Sequence, residues 1–187
     1  MGIIDMIKKL YFKSLSPEKK AKYLKDKVHY LGENVQIYTT DIGTEPYLIS
    51  IDDNVTVAAG VHFITHDVSC FHVSRYLKLK NRLDKVGSIV LHKNCMIGAH
   101  TILMPGCSVG ENSIIAAGSI VTKAVPDGEV WGGNPAKFIM TIDEYSNKLL
   151  EINNKYPWMK NGKVIAPHGS SRLEEIREKY FFVDSFN

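Results

Sequence analysis

The sequence predicts an all-β solenoid of six-residue repeats, flanked by helical N- and C-terminal appendages. Two observations predict it. Leu91, Ile97, Leu103, Val109, Ile115 and Val121 stand at intervals of six. Four positions after each of the first five comes a small residue: Cys95, Thr101, Cys107, Ser113 and Ser119. A period of six is neither the 3.6 of a helix nor the plain alternation of a flat strand. It is the period of a coil in which each repeat supplies one short strand and a corner. The aliphatic and small positions share parity, so both side chains point inward.

Taken in order, residues 1–30 read as a helical segment. Ile3, Ile7, Leu10 and Tyr11 share a face at helical spacing, and Ser16-Pro17 has the form of an N-cap followed by proline at the first helical position. Residues 1–27 carry eight lysines against three acids. A helix capping the end of the solenoid accounts for the apolar face; a membrane-surface helix is the rival reading. The solenoid itself spans 31–140. Its first block, about 31–67, carries Leu31 and Ile37, then Ile51, Val57 and Phe63, with Val55 and Val61 at the companion position. Gly43 and Pro46 mark a loop at one corner of 41–50.

Residues 68–86 break the period and hold Phe71, His72 and Tyr76 with a basic cluster from Arg75 to Lys85. An excursion of this length in a compact domain is expected to be functional, and its charge suggests an acidic acceptor. The second block, 87–126, is the most regular, and Pro126-Asp127-Gly128 ends it with a turn. In the extension 141–187, Thr141–Glu144 and Ser171–Glu174 have capping-box spacing and predict two helices. Pro157, Gly162, Pro167 and Gly169 predict a loop between them.

The bulk properties exclude little but bound the rest. The chain of 187 residues suits one well-buried domain with short appendages. A net charge of +3 does not by itself argue for nucleic acid, and none is expected. Cys95 and Cys107 occupy inward positions as compact hydrophobes, which points to a reducing compartment and a cytoplasmic location. No apolar run approaches the roughly 20 residues of a bilayer span. No secretory leader is read at the N-terminus, and Met6 after Gly2 does not fit a myristoylation signal.

From Ile97 to Ile139 the elements IGAH, MPG, SVGENS, AAGSIVTK and GGNPAKFI follow one another. In order and spacing this run resembles the hexapeptide-repeat acyltransferases, in particular the xenobiotic and polysaccharide O-acetyltransferases. The resemblance covers about residues 30–140. It implies a left-handed parallel β-helix, an exception to the right-handed crossover rule, and homotrimers with acetyl-CoA in grooves between subunits. It implies a catalytic histidine just before a loop leaving the solenoid. His66, in Phe63-Ile64-Thr65-His66-Asp67, holds that position.

Histidine is a suitable base near pH 7 for taking the proton of an acceptor hydroxyl. Asp67 is adjacent on an extended strand and so points to the opposite face. A backbone carbonyl, or a carboxylate from another coil such as Glu45, is an alternative orienter for the ring; Glu45 and His72 in the excursion are also candidate contacts to substrate. By the same resemblance the cofactor contacts are Ala99, Ala117, Thr122, Lys123 and Lys137. Small residues let backbone approach the pantetheine arm, and the two lysines suit CoA phosphates. Trp131 is read equally as an adenine platform or as packing for the last coil.

Three rivals were weighed. A zinc-dependent carbonic anhydrase on the same solenoid needs a pair of histidines five apart; His62 and His66 are four apart, and no metal is expected. A nucleotidyltransferase needs an added α/β domain. A non-catalytic scaffold is expected to lose either the histidine at the loop exit or the AAGSIVTK element, and both are present. The expected activity is therefore acetyl-CoA-dependent O-acetyl transfer to a sugar, nucleotide sugar or related small acceptor, in surface polysaccharide biosynthesis. A sugar N-acetyltransferase and a binding scaffold are the alternatives.

Overall fold

The chain folds as three parallel faces that the backbone visits in rotation. The computed structural model describes residues 3–183. Helices α1 (Ile3–Ser14) and α2 (Pro17–Leu24) lead into strands β1 (Tyr30–Leu31), β2 (Gln36–Ile37), β3 (Ile49–Ile51), β4 (Thr56–Val57) and β5 (His62–Phe63). Helix α3 (Ser69–Tyr76) interrupts them. Strands β6 (Ile89–Leu91), β7 (Met96–Ile97), β8 (Ile102–Leu103), β9 (Ser108–Val109), β10 (Ile114–Ile115) and β11 (Ile120–Val121) follow without a break. Then come β12 (Glu129–Gly132), β13 (Lys137–Thr141), α4 (Ile142–Lys155), β14 (Met159–Lys160), β15 (Lys163–Val164) and α5 (Ser171–Phe182).

The first face is β1-β3-β6-β9, the second β2-β4-β7-β10-β12-β13 and the third β5-β8-β11. Leu91 lies beside Val109, Ile97 beside Ile115 and Leu103 beside Val121, so three hexapeptides complete one turn. The six predicted aliphatic residues are all buried at the centre, as are the five small ones. Each aliphatic side chain withdrawn from water contributes roughly 1.5–3 kcal/mol. Buried hydroxyls among the small residues find backbone partners: Ser119 Oγ donates to Ala116 O at 2.6 Å and Ser113 Oγ to Pro126 O at 2.6 Å. Burial pushes the Cys95 and Cys107 thiols up to about 12, which keeps both in the protonated form.

The corners follow from residue types that accept a left-handed backbone. Asn34, Asn54, Asn94 and Asn112 occupy one corner in four successive coils, each with φ between 56° and 59°. Their side chains form a ladder, Asn34 donating to Asn54 (3.2 Å), Asn54 to Asn94 (3.0 Å) and Asn94 to Asn112 (3.0 Å). The left-handed region costs other L-residues roughly 1–2 kcal/mol, and the amide ladder offsets that for asparagine.

The ends differ in part from expectation. Ser16 caps α2, its side chain accepting from Lys19 N–H at 3.4 Å, and Ala21 and Leu24 enter the core. On α1 it is Phe12 that is buried, whereas Ile7, Leu10 and Tyr11 of the predicted face are exposed. Gly2 and the side chain of Ile3 lie outside the described residues. After the turn at Gly128 the chain does not simply dissolve. It forms an antiparallel hairpin, β12 with β13, that extends the second face.

The chain divides into two compact units, one ending at Ile142 and one beginning at Asp143. The first joins the N-terminal helices and the coils. The second holds most of α4, then α5 and, within the predicted loop, a β14–β15 hairpin around Asn161-Gly162. Its centre is aromatic: Tyr156 stacks on Trp158 with ring centroids 4.4 Å apart. The residue capping α5 is Ser170 rather than Ser171, and its hydroxyl donates backward to Pro167 O at 2.7 Å. Among the described residues no helix is long and apolar enough to cross a membrane.

Asn94→Ala removes two rungs of the ladder and places a Cβ without compensation in the left-handed region. Stability is expected to fall by about 1–3 kcal/mol in urea titration, and by less for Asn94→Gly, which regains the conformational freedom.

Candidate active site

The site is built where β5 ends and the chain leaves the third face. Ile64 N–H still bonds to Leu103 O (2.9 Å) in the coil ladder, and Thr65 O accepts from Gly87 N–H (2.9 Å) where the chain returns. Between these two anchors His66 pairs with Val86 as an isolated antiparallel bridge, and Asp67 N–H donates to Lys85 O at 2.8 Å. The excursion therefore has a closed base, and His66 is held in extended backbone at its threshold. Alternation then sends His66 and Asp67 to opposite sides. Asp67 receives the Lys85 ammonium at 2.6 Å and Ser69 N–H at 2.9 Å, which hold its carboxyl well below the usual range.

The partner of His66 comes from the first coil. Where a third-face strand would stand before β5, residues 40–45 run as a loop laid over Phe63. Gly43 makes the approach possible: its φ is 70°, and a Cβ there would come within 2.5 Å of Phe63 O. The loop delivers Glu45, whose Oε2 accepts the Thr65 hydroxyl at 2.8 Å and meets His66 Nδ1 at 3.0 Å. The Thr65 hydrogen bond is the main cause that lowers the Glu45 pKa; the hydrogen bond and charge of His66 add to it, and partial burial opposes them. An ionised carboxylate only accepts, so Nδ1 carries the proton it donates. In the neutral ring Nε2 is left with a free lone pair.

The same loop and strand make a second pair. Asp41 Oδ2 meets His62 Nδ1 at 2.8 Å, while Asp41 Oδ1 accepts from Gly43 N–H at 3.0 Å. Both histidines, with Asp41, Thr44, Ile64 and Ile102, line one cleft of about 420 Å³. The sequence drew no attention to Asp41. The matched four-residue steps 41/45 and 62/66 were visible, but not that the two segments are adjacent.

The remaining predicted residues divide between two corners that flank the third face. Ala99 and Ala117 stack at the corner before it, with Gly118 N–H bonding to Ala99 O at 2.8 Å. Below them Gly98 packs so closely that a Cβ would lie 2.5 Å from Ala117 N. Lys137 stands opposite Gly132 in the terminal hairpin, exposed. Thr122 and Lys123 follow β11 at the corner that His66 also occupies, two coils away and so about 10 Å along the stack. Lys123 Nζ lies 5.2 Å from the Trp131 ring centre. Trp131 is buried in the last coil and donates its Nε1–H to Glu129 at 2.5 Å, so it packs structurally. His72 is exposed on α3 and does not line the cleft. Among the described residues no three of His, Cys, Asp or Glu gather where they could hold a metal ion.

Replacing Thr65 with valine removes the largest influence on Glu45, so the Glu45 carboxyl should titrate at higher pH in carbon-detected NMR. A depressed carboxyl pKa stabilises the fold above the ordinary value near 4.3 and is lost as pH falls through the folded-state value. Thr65→Val should therefore unfold at higher pH than the parent during acid titration.

Comparison with known proteins is consistent with this geometry. The family profile described as bacterial transferase hexapeptide (six repeats) matches residues 88–123. Protein CapG of Staphylococcus aureus is 38% identical over 152 residues, covering 78% of this chain and 84% of that protein. The galactoside O-acetyltransferase of Escherichia coli K12 is 35% identical over 115 residues, which are 62% of this chain and 55% of that one, so the chain spans only about half of its length. A crystal structure of a galactoside acetyltransferase in complex with coenzyme A shares the fold, with a TM-score of 0.53, 23% identity, and coverage of 83% of this chain and 84% of that one. The repeats, their register and these similarities together place the chain in the hexapeptide-repeat acyltransferase family.

Proposed function

We propose that the protein transfers an acetyl group from acetyl-CoA to a hydroxyl of a sugar or related acceptor, with His66 as general base. The observation that carries the proposal is the Glu45–His66 contact at 3.0 Å, which engages Nδ1 and leaves Nε2 as the ring nitrogen for a substrate, His66 itself lining a cleft of about 420 Å³. In this reading Nε2 takes the proton of the acceptor hydroxyl as its oxygen attacks the thioester carbonyl. The carbon–sulfur bond then breaks, and the imidazolium returns the proton to the departing sulfur. Glu45 is a positioning residue: it fixes the tautomer and favours the imidazolium that forms. His62, oriented by Asp41, offers a second partner in the same cleft, which favours an acceptor with several hydroxyls.

Acetyl-CoA would lie along the third face, its pantetheine arm against the small corner of Ala99 and Ala117 and its phosphates near Lys123 and Lys137. The small side chains of Ala99, half-buried, and Ala117, exposed, stacked at one corner, support this, because larger side chains there would bar a close approach to the backbone. The family resemblance supports a left-handed coil and a homotrimer with these grooves between subunits. The name and title of the galactoside enzymes support a sugar acceptor, and the similarity to CapG supports a role in polysaccharide formation.

Release of CoA from acetyl-CoA, followed across sugars and nucleotide sugars, tests the reading. His66→Ala should reduce kcat by about 10²–10⁴, the usual worth of a positioned base, with acetyl-CoA binding by calorimetry retained. Undiminished turnover in that variant would exclude His66 as the base.

A further inference from the structure

We infer that α1 is an interfacial helix that docks the protein on an anionic lipid bilayer. The helix spends its apolar face on solvent. Among the described side chains of this helix, Phe12 is the one buried in the core cluster, 8% exposed. At about 100° per residue, Ile7 and Leu10 lie about 140° and 160° around the axis from Phe12. They point away from the coils: Met6, Ile7, Leu10 and Tyr11 are all about half exposed. Packing against the solenoid therefore accounts for Phe12 and leaves the row of Met6, Ile7, Leu10 and Tyr11 unexplained.

Charge selects the occupant. Residues 1–27 hold eight lysines against three acids, whereas the rest of the chain holds 15 lysines and arginines against 17 acids. The positive excess thus lies in the helical N-terminal segment that carries the exposed row. A groove of about 320 Å³ is lined by Tyr11, Leu15, Lys19, Lys22 and Tyr23, which gathers two lysines and two tyrosines at the edge of the row. Apolar side chains flanked by lysines and tyrosines are the composition of a helix lying in the plane of a membrane, the row entering the acyl boundary and the cations meeting anionic headgroups. A protein partner would need its own acidic, apolar groove; a bilayer containing anionic lipid supplies both features at once.

Co-flotation of the full chain with vesicles tests this. Binding is expected to vesicles of phosphatidylglycerol and phosphatidylcholine in equal parts, to be absent with phosphatidylcholine alone, and to weaken as salt screens the lysines. Ile7→Asp/Leu10→Asp should reduce the partition coefficient at least about tenfold, as expected for charge placed in the inserted face. Lys19→Glu/Lys22→Glu should reduce it while leaving the apolar row intact. Thermal unfolding and molar mass in solution should match the parent for both variants. Absence of binding to anionic vesicles, or binding indifferent to Ile7→Asp/Leu10→Asp, would overturn the proposal. So would a lower molar mass of that variant, which would assign the row to a contact between copies of the chain.

Discussion

The stacking of one inward aliphatic column on the next is the constraint from which the molecule follows. Strands of two or three residues cannot stand alone, and each is held by the coil above and below. Ile37, Val57, Ile97 and Ile115 form one such column on the second face, all fully buried. Because every coil returns to the same register, a residue's position in the hexapeptide determines its place on the surface. Function can then be placed at corners, where side chains are free of the core, without disturbing the stack. Where the chain needs an irregular loop, as at 40–45 and 68–86, the ladder on either side absorbs it. Leu91 still meets Ile51 although the excursion lies between them.

That regularity makes the fold legible in the sequence and the site only half so. The period of six reported strand positions, inward residues and the limits of the excursion, because each depends on short-range spacing. His66 stood out through the family resemblance, which places a histidine just before the loop that leaves the solenoid. Its orienting group did not follow from spacing, since Glu45 reaches it across the stack from a loop that replaces a strand. Glu45 entered only as one of several options. The asparagine ladder was hidden for a related reason: Asn54 and Asn94 are separated by the excursion, and only the three-dimensional register aligns them. The β12–β13 hairpin was missed because its strands no longer keep the period. On α1 periodicity reveals an apolar row but not which side meets the core, and Ile7, Leu10 and Tyr11 are exposed.

The site's chemistry rests on how one carboxylate oxygen is shared. Glu45 Oε2 accepts from both Thr65 and His66, adjacent residues on a strand whose side chains ordinarily diverge. Beside this shared contact, Val86 bridges His66 from the returning arm. Two hydrogen bonds to one oxygen keep the carboxylate charged, and the charge keeps the proton on Nδ1. Asp67, nearer in sequence, is withdrawn from the ring by Lys85, so the two acids beside the histidine have separate tasks. One orients the ring; the other ties the base of the excursion.

Action of His66 as a base depends on which ring nitrogen carries its proton. Nitrogen-15 NMR of the histidine side chains at slightly alkaline pH reports directly which ring nitrogen of His66 is protonated. A proton on Nδ1 with a bare Nε2, shifting to the other tautomer or to exchange between both in Glu45→Gln, is the result the geometry predicts. A proton resident on Nε2 in the parent protein would contradict it, because a nitrogen already protonated cannot take the proton of an acceptor hydroxyl.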